Sequence, residues 1–366
     1  MSSLITRRRA LAITGATLAS AALDPLGRHS NAYAADNTLN VVWWGGPWIE
    51  SMQKVIAKSN QFDVKWELHV GGAAAVMAKI KAAWPRPTYD VVGQFTPLFY
   101  TWMREGWPEP LTYEEVPNLK NVPEALLVKD QAGNIINAPM SQSGIFWGYR
   151  KDTCPVPVKR LEDLLDPRLK GQIVCRDPQA LNGQVVSFAL EFGGDDKSMA
   201  NLEPGWDFLK RLAKAGNIGR VEHSDVDFVN SLTSGECSIG FSNLGAWSRI
   251  AASVPCEFLT KVPGSRGMKT FQVVEGAMIP KNSTHKALAK QFVNFLLGTE
   301  NNQLYNEGVG MAPTNINSRP GKFAESIQFK TKGDIEAYTY TFNYPLLSQI
   351  QSEMSKKFET EIKPLL

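Results

Sequence analysis

The pattern of apolar and polar positions predicts that the first part of this chain alternates between strands and helices. Residues 41–44 form a short apolar run that ends at a Gly-Gly-Pro turn, and an apolar stripe at helical spacing follows over residues 52–56. The same succession of strand, glycine turn and helix occupies residues 64–84, and another strand is predicted at 89–92. Strands that alternate with helices favour a parallel, doubly wound α/β sheet.

The turns that follow these strands are expected to meet at one edge of the sheet. Gly45-Gly46, Gly71-Gly72 and residues 93–96 each come directly after a predicted parallel strand. Ligands usually bind at the carboxyl edge of such sheets, so these turns are predicted to form one wall of a cleft. Trp48 lies beside the first turn and is predicted to line that cleft. Neither glycine pair has the spacing of a nucleotide-binding motif, so no nucleotide cofactor is predicted.

A change of pattern after residue 134 predicts that the chain leaves the first sheet. Strands are predicted at 134–138 and 144–150, around a short linker at 139–143. Further strands are predicted at 172–176, 237–243 and 273–280. The last of these strands is where we expect the chain to return to the first sheet.

The first 34 residues have the composition of a cleavable export signal. Three arginines at positions 7–9 precede an Ala-rich, mildly apolar stretch that ends in a small-x-small motif at 32–34. Paired arginines favour the twin-arginine route, although an ordinary export signal also tolerates them. The stretch is shorter and more polar than a membrane-spanning helix. We therefore predict a periplasmic protein that is cleaved near Ala34.

Composition and charge argue against some classes of partner. Removing residues 1–34 takes away four arginines and one aspartate, so the net charge falls from +3 to zero. No block of lysine or arginine remains, and neither nucleic acid nor an anionic membrane is expected as a partner. The mature chain has more residues than one compact core usually holds, which predicts two lobes.

Four cysteines remain in a chain that is expected to enter an oxidising compartment. Disulfides can be drawn among them in three ways, and free buried thiols are the alternative. Cys237 and Cys256 each begin an apolar run on either side of one helix, which is compatible with adjacent strands. The spacing of the four cysteines matches no zinc motif, and no metal is predicted.

Five segments occur in an order that resembles a known family. They are residues 42–46, 89–92, 161–177, 234–241 and 275–280. In this order, behind an export signal, they resemble the extracellular solute-binding proteins of ABC importers, in the group that includes spermidine/putrescine-binding proteins. The resemblance extends over nearly the whole mature chain.

The resemblance implies the two-lobed, type II periplasmic-binding-protein fold, with α/β lobes that each contain a mostly parallel sheet flanked by helices. Lobe one is expected to combine residues 36–142 with 270–366, and lobe two to contain 143–269. The ligand is expected in the cleft, where it contacts both lobes and drives their closure. The implied role is solute binding without catalysis or cofactor, as a monomer that delivers its ligand to an inner-membrane ABC permease.

The resemblance also implies which side chains bind the ligand. In polyamine-binding relatives, aromatic rings enclose the alkyl chain and carboxylates hold the ammonium groups. Matching positions here are the rings of Trp44 and Phe241 and the carboxyl groups of Asp177 and Glu275. Two alternatives remain open at this point. Asp177 is also suited to capping the turn that follows it, and Glu275 to a buried ion pair with a lysine or arginine.

The chain departs from the polyamine pattern at two positions. Ala180 stands where a second carboxylate of lobe two is expected, and Val273 stands where a further ring is expected. A solute with one cationic end and a polar remainder, such as an opine, is therefore predicted rather than a long diamine. The side chains predicted to contact the polar remainder are Gln94, Thr96, Asn182, Asn243 and Trp247.

Two other functions are alternatives to this one. An anionic solute, such as a carboxylate or phosphonate, is the alternative within the class, held by helix N-termini and by Arg176. An exported enzyme is disfavoured, because the mature chain has three histidines and no serine-hydrolase or zinc-protease motif. The cluster of His223, Asp225 and Asp227 is interpreted as a solvated turn.

Overall fold

The computed structural model describes residues 38–69, 72–177, 183–194, 199–329 and 331–366. The predicted export signal and its cleavage position lie outside these ranges. Within them, no helix combines the length and the apolar character needed to cross a membrane.

The bounds of the helices and strands follow the predicted alternation closely in the first part of the chain. In chain order they are β1 (Thr38–Trp43), α1 (Pro47–Ile56), β2 (Asp63–Leu68), α2 (Gly72–Ala83), β3 (Val91–Phe95), α3 (Leu98–Glu105), β4 (Ala138–Arg150), β5 (Ile173–Arg176), α4 (Gly183–Phe192), α5 (Glu203–Lys214), β6 (Ile218–Glu222), α6 (Asp225–Thr233), β7 (Ile239–Asn243), α7 (Leu244–Ala251), β8 (Cys256–Phe258), β9 (Thr270–Met278), α8 (Lys286–Leu296), α9 (Thr299–Val309), β10 (Ala312–Pro313), α10 (Lys322–Ser326), α11 (Lys332–Tyr338), β11 (Thr339–Thr341) and α12 (Tyr344–Lys357). Short 3-10 helices cover Pro117–Asn121, Glu124–Leu126, Leu161–Leu165, Pro167–Leu169 and Lys363–Leu365, and a π-helical turn covers Phe358–Ile362.

The strands join in one sheet in the order β2-β1-β3-β9-β4-β7-β5-β6. Three strands at one end, β2-β1-β3, are parallel to one another, and so are the three at the other end, β7-β5-β6. Strands β9 and β4 lie between these groups and run antiparallel to each other and to β3 and β7. The sheet is therefore two parallel α/β groups joined through a central antiparallel pair, which confirms the predicted α/β class.

Helices cover both faces of the sheet, so each parallel group has a core on either side. Val42 and Trp43 are neighbours on β1 and belong to different cores, because successive side chains of a strand point to opposite faces. Phe146 and Trp147 divide in the same way on β4. The apolar runs of the buried strands follow from this arrangement, since both faces of each strand contact helices.

Residues 138–150 form one continuous strand, β4, so the linker predicted at 139–143 is wrong, and the strand predicted at 134–138 shares only Ala138 with β4. Pro139 lies within this strand although proline lacks a backbone N–H. A shift of register between Pro139 and Ser141 forms an irregularity in the pairing with β9, and such positions accommodate proline within a sheet. The hydroxyl of Thr314 donates to the carbonyl oxygen of Pro139 at 2.7 Å, and the amides of Asn302 and Asn306 donate to that of Met140.

The C-terminal segment contacts helices beside both parallel groups of strands. Arg104 on α3 donates to the carbonyl oxygen of Ser348 on α12 at 3.1 Å. At the other end of the segment, Lys210 on α5 pairs with Glu361 at 2.7 Å. Phe358 is buried in the core that includes Trp206 of α5. The chain after residue 343 thus extends from the β2-β1-β3 side to the β7-β5-β6 side.

All four cysteines are free thiols. Strand β4 lies between β7 and β8, so Cys237, just before β7, and Cys256, on β8, fall on opposite sides of β4 rather than on adjacent strands. The two short apolar runs that begin with these cysteines are therefore not neighbours in the sheet.

Candidate functional site

The ends of the two parallel groups face each other near the middle of the sheet. Phe95, the last residue of β3, pairs with Glu275 of β9, and Glu275 pairs in turn with Ser141 of β4. Asn243, the last residue of β7, pairs with Ile145 of β4. Ser141 and Ile145 are four positions apart on one strand, a separation of roughly 13 Å. The two sets of strand ends are therefore separated by this length of β4.

Two tryptophans that precede the glycine turn after β1 lie in different environments. Gly46 has a φ of 63°, a conformation that favours glycine, and α1 begins directly after it. Trp43 is fully buried, and its indole N–H donates to the hydroxyl of Tyr305 at 3.0 Å. Trp44 is half-buried and lies against the ring of His69, with 4.9 Å between ring centres. Of the two residues, Trp43 fills the core, while Trp44 lies at the strand end.

Trp48 and Glu275 form a buried hydrogen-bonded pair between α1 and β9. The indole Nε1 of Trp48 donates to Oε2 of Glu275 at 3.1 Å, and the two residues are 4% and 8% exposed. Burial raises the pKa of Glu275 to about 8, the hydrogen bond from Trp48 opposes this rise, and the nearby charge of Asp225 adds to it. Among the described residues, no lysine or arginine pairs with Glu275, so the buried ion pair considered from the sequence is not found there.

At the ends of β5 and β7, Asp225 contacts two polar side chains and forms a second polar cluster with them. Arg176, at the end of β5, pairs with the Oδ1 atom of Asp225 at 2.9 Å. The amide of Asn243 donates to Oδ2 of the same carboxylate at 2.7 Å. The interpretation of this region as a solvated turn holds for His223, whose side chain is 71% exposed, and is wrong for Asp225, which is 21% exposed. Asp225 begins α6, and that helix carries its carboxylate inward against Arg176.

Arg249 connects the two clusters and was missed by the sequence reasoning. It lies on α7, and its guanidinium carbon is 4.9 Å from the ring centre of Trp48. Its Nε and one terminal nitrogen are shielded from solvent and have no acceptor among the described residues. Burial lowers the pKa of Arg249, and the charge of Asp225 partly offsets that effect. The sequence feature that could have identified Arg249 is its place on the helix after β7, because that helix begins at the sheet edge where the other site residues lie.

Three of the predicted binding residues are packed within the protein. Phe241 is fully buried between the rings of Trp147 and Phe271. Trp247 is also fully buried, and its indole N–H donates to the carbonyl oxygen of Phe146 at 3.1 Å. The hydroxyl of Thr96 accepts from the backbone N–H of Val274 at 2.7 Å and so fixes the β3 end to β9.

The remaining predicted residues lie at strand ends. Gln94 is fully buried, and neither atom of its amide has a partner among the described residues. Asp177 follows β5 directly and is 5% exposed, with its Oδ2 atom 3.4 Å from Nδ1 of His223. Asn243 caps α7, because its Oδ1 atom accepts from the N–H of Ala246 at 2.9 Å. Three positions considered from the sequence lie outside the described residues: Gly71, Ala180 and Asn182.

The structure is similar to solved periplasmic solute-binding proteins over nearly its whole length. The protein AgtB from A. tumefaciens R10, in complex with agropinic acid, has a TM-score of 0.72 and 19% identity, and the match covers 89% of this chain and 99% of that chain. The spermidine/putrescine ABC transporter substrate-binding protein PotD from Streptococcus pneumoniae, in complex with calcium and HEPES, has a TM-score of 0.66 and 18% identity, with 89% and 100% covered. The periplasmic binding protein AfuA from Actinobacillus pleuropneumoniae, with fructose-6-phosphate bound, has a TM-score of 0.72 and 18% identity, with 90% and 99% covered.

These similarities confirm the predicted fold, the two-lobed type II fold of periplasmic binding proteins. No curated protein matches the chain in sequence. The family model for the bacterial extracellular solute-binding proteins matches residues 52–334, which is most of the chain. The protein therefore belongs to the bacterial extracellular solute-binding protein family.

Proposed function

We propose that this protein is the periplasmic solute-binding component of an ABC importer and that it captures a small amine-bearing solute beside Trp48 and Glu275. The observation that carries the proposal is the buried carboxyl group of Glu275, which receives a hydrogen bond from Trp48 and has no cationic partner among the described residues. A carboxylate in such a place is unfavourable unless a positive charge joins it. A ligand ammonium group supplies that charge.

The carboxyl group of Glu275 has no protein cation paired with it among the described residues, which leaves it available to a ligand ammonium group. Its neighbour Trp48 donates to it through Nε1, while the guanidinium group of Arg249 lies over the ring of Trp48. With a pKa of about 8, Glu275 is largely protonated at neutral pH when no cation is present. Binding of an ammonium group then favours release of that proton, because the ion pair stabilises the carboxylate.

The fold alone does not select the ligand in proteins of this architecture. The structures described above hold agropinic acid, HEPES with calcium, and fructose-6-phosphate within one fold. Selectivity must therefore arise from the side chains at the strand ends, as is general for folds that serve many functions. For this chain, Trp48 and Glu275 are the side chains that favour an amine.

The transport role follows from the family and from the export signal that the sequence predicts. In the proposed cycle, the mature monomer of residues 35–366 binds its solute between lobe one, residues 36–142 with 270–366, and lobe two, residues 143–269. The solute contacts both lobes, so binding favours the closed form. An inner-membrane permease then receives the solute from that closed form.

Isothermal titration calorimetry on residues 35–366 tests the proposal with polyamines, opines, amino acids, dicarboxylates, phosphonates and sugars. We expect amine-bearing solutes to bind. Glu275→Gln should weaken that binding by roughly 1.5–3 kcal/mol, the usual contribution of a hydrogen bond to a charged group. Glu257→Gln, at an exposed glutamate on β8, is the matched control and should leave affinity unchanged. Binding of anions alone, or an unchanged affinity in Glu275→Gln, would remove the amine from the proposed function.

A further inference from the structure

Arg249 has hydrogen-bond donors that the described residues do not use. Its Nε and one terminal nitrogen are shielded from solvent without an acceptor. An arginine side chain remains charged and carries five N–H donors with no acceptor of its own. Leaving buried donors of a charged group unpaired is more unfavourable than leaving those of a neutral group unpaired. An acceptor from outside the chain would remove this cost.

The oxygens of Asp225, whose charge acts on Arg249, are already used by other donors. Asp225 affects the pKa of Arg249 through its charge, but its two oxygens already accept from Arg176 and Asn243. Arg176 is further fixed by donating to the carbonyl oxygen of Ser224 at 3.1 Å. The two arginines therefore differ, since Arg176 is neutralised by Asp225 and Arg249 is not paired within the described chain.

Trp48 places the guanidinium group of Arg249 in the same site as Glu275. The ring of Trp48 contacts the guanidinium group, whose carbon is 4.9 Å from the ring centre, while its Nε1 donates to Glu275. The indole of Trp48 thus contacts the guanidinium group of Arg249, which can donate hydrogen bonds to an anion, and the carboxyl group of Glu275, which can accept them from a cation. Arginine forms two parallel hydrogen bonds with a carboxylate, which fixes the carboxylate in orientation as well as in position.

We propose that the solute carries a carboxylate as well as an amine, and that Arg249 binds the carboxylate while Glu275 binds the ammonium group. This inference rests on the proposed function, because it assigns the second charged end of the same ligand. The ligand class is a small zwitterion of the amino-acid or amino-acid-conjugate type. A simple diamine would leave the donors of Arg249 unused and would place a second positive charge near the guanidinium group.

Calorimetric titrations with probes of matched length test this assignment. The probes are unbranched ω-amino acids, diamines and monocarboxylates of two to six carbons, each titrated into wild-type protein, Arg249→Gln and Glu275→Gln. We expect an ω-amino acid to bind at least tenfold more tightly than the diamine or monocarboxylate of the same length. Arg249→Gln should weaken the ω-amino acid about 10- to 100-fold. Diamine binding should not weaken and should become tighter where the second ammonium group lies near position 249, because a positive charge has been removed.

Two further variants separate charge recognition from structural damage. Arg211→Gln removes another arginine that lies over an aromatic ring, that of Phe208 on α5, and should change no affinity. Arg249→Lys keeps the charge without the paired donors and should give an intermediate affinity. It also provides a folded variant if Arg249→Gln does not fold. A loss of diamine binding equal to the loss of ω-amino acid binding in Arg249→Gln would indicate a displaced Trp48 and would overturn the inference.

The remaining outcomes distinguish the inference from the proposed function. If diamines bind as tightly as ω-amino acids and Arg249→Gln is neutral, the inference is overturned and the amine proposal stands. If monocarboxylates bind as tightly as ω-amino acids, Glu275 does not bind an ammonium group and both proposals fail. Absence of binding by every probe also overturns both.

Discussion

The carboxyl group of Glu275 combines deep burial with a single hydrogen bond from Trp48. Most buried acids in proteins are paired with a base, and those that are not tend to be protonated near neutral pH. Strongly shifted pKa values of this kind occur often at functional sites, where the missing charge belongs to a ligand. As the residue proposed to bind the ammonium group, Glu275 links the stability of the empty protein to the binding of its solute.

The pKa of Glu275 predicts how stability without ligand depends on pH. The folded protein binds this proton more tightly than the unfolded chain, since the pKa rises from 4.5 to about 8. The carboxyl group of Glu275 therefore does not destabilise the folded protein below pH 4.5. As the pH rises from 4.5 towards 8, the free energy of unfolding falls by up to about 1.4 kcal/mol per pH unit. We expect the melting temperature of Glu275→Gln, relative to wild type, to increase between pH 5 and pH 8.

Differential scanning calorimetry at several pH values, without ligand, measures this difference. Glu257→Gln provides the control, since that exposed side chain on β8 should give a pH-independent difference. A constant difference between Glu275→Gln and wild type across this range would show that the carboxyl group is not protonated in the folded protein.

At the residue level, the sequence predicted part of the candidate site. Trp48 was predicted as a ring beside a glycine turn, and Glu275 was predicted from its position in the resemblance to polyamine-binding proteins. Phe241 and Trp247 were predicted at strand and helix positions near the cleft, and the structure packs both into cores. Spacing along the chain locates a residue, whereas the direction of its side chain depends on which helices pack beside it. Arg249 was missed for this reason.

At the element level, helix α9 supports the central strand through two buried amides. Asn302 donates to the carbonyl oxygen of Met140 on β4, and its Oδ1 atom accepts from the N–H groups of Thr314 and Asn315. Asn306 donates to the same carbonyl oxygen. These contacts satisfy backbone groups at the register shift, where the regular pairing of β4 is interrupted. They allow β4 to pass through the middle of the sheet without a break.

Asn302→Ala is therefore expected to destabilise the protein strongly. Two buried backbone N–H groups would lose their acceptor, at roughly 1–3 kcal/mol each, so we expect a loss of about 2–5 kcal/mol in the free energy of unfolding. Urea denaturation measures this loss. Glu307→Ala on the same helix is the control, because that side chain is exposed and should change stability little. A loss below about 1 kcal/mol would mean that water replaces the amide of Asn302.

Most of the helices and strands were predictable from the sequence, whereas strand β4 was not. The strand and helix periods of β1, α1 and α8 are long enough to be distinguished from the sequence alone. Strand β4 was predicted as two strands around a linker, whereas its Pro139 is accommodated because the pairing is irregular at that position. The amides that support the bulge come from residues more than 160 positions away in the chain, which no local pattern shows.

At the scale of the whole molecule, the C-terminal segment connects the two parallel groups. It contacts α3 through Ser348 and α5 through Glu361, and its Phe358 is buried in the core that contains Trp206. The sequence reasoning assigned little to this segment because its apolar positions follow no clear period. The resemblance predicted the two-lobed fold. It did not predict the packing of the C-terminal segment, because this packing depends on contacts between distant parts of the chain.

Phe358→Ala tests the contribution of this C-terminal packing. Phe358 is 2% exposed within the core that also includes Trp206 and Leu209. Truncating a buried phenylalanine typically lowers the free energy of unfolding by about 3–5 kcal/mol, because it leaves a cavity. Glu359→Ala, at the exposed neighbouring position, should have little effect. Equal stability of the two variants in urea denaturation would show that the segment is not part of the cooperative core.

The four free thiols have a consequence for the way this protein is made. Burial raises the pKa of Cys175 to about 12 and those of Cys237 and Cys256 to about 11, so these groups remain protonated and react slowly with oxidants or other thiols. The fold forms without a cross-link among the four. Its covalent structure is therefore the same in a reducing and in an oxidising compartment, and folding requires no oxidant.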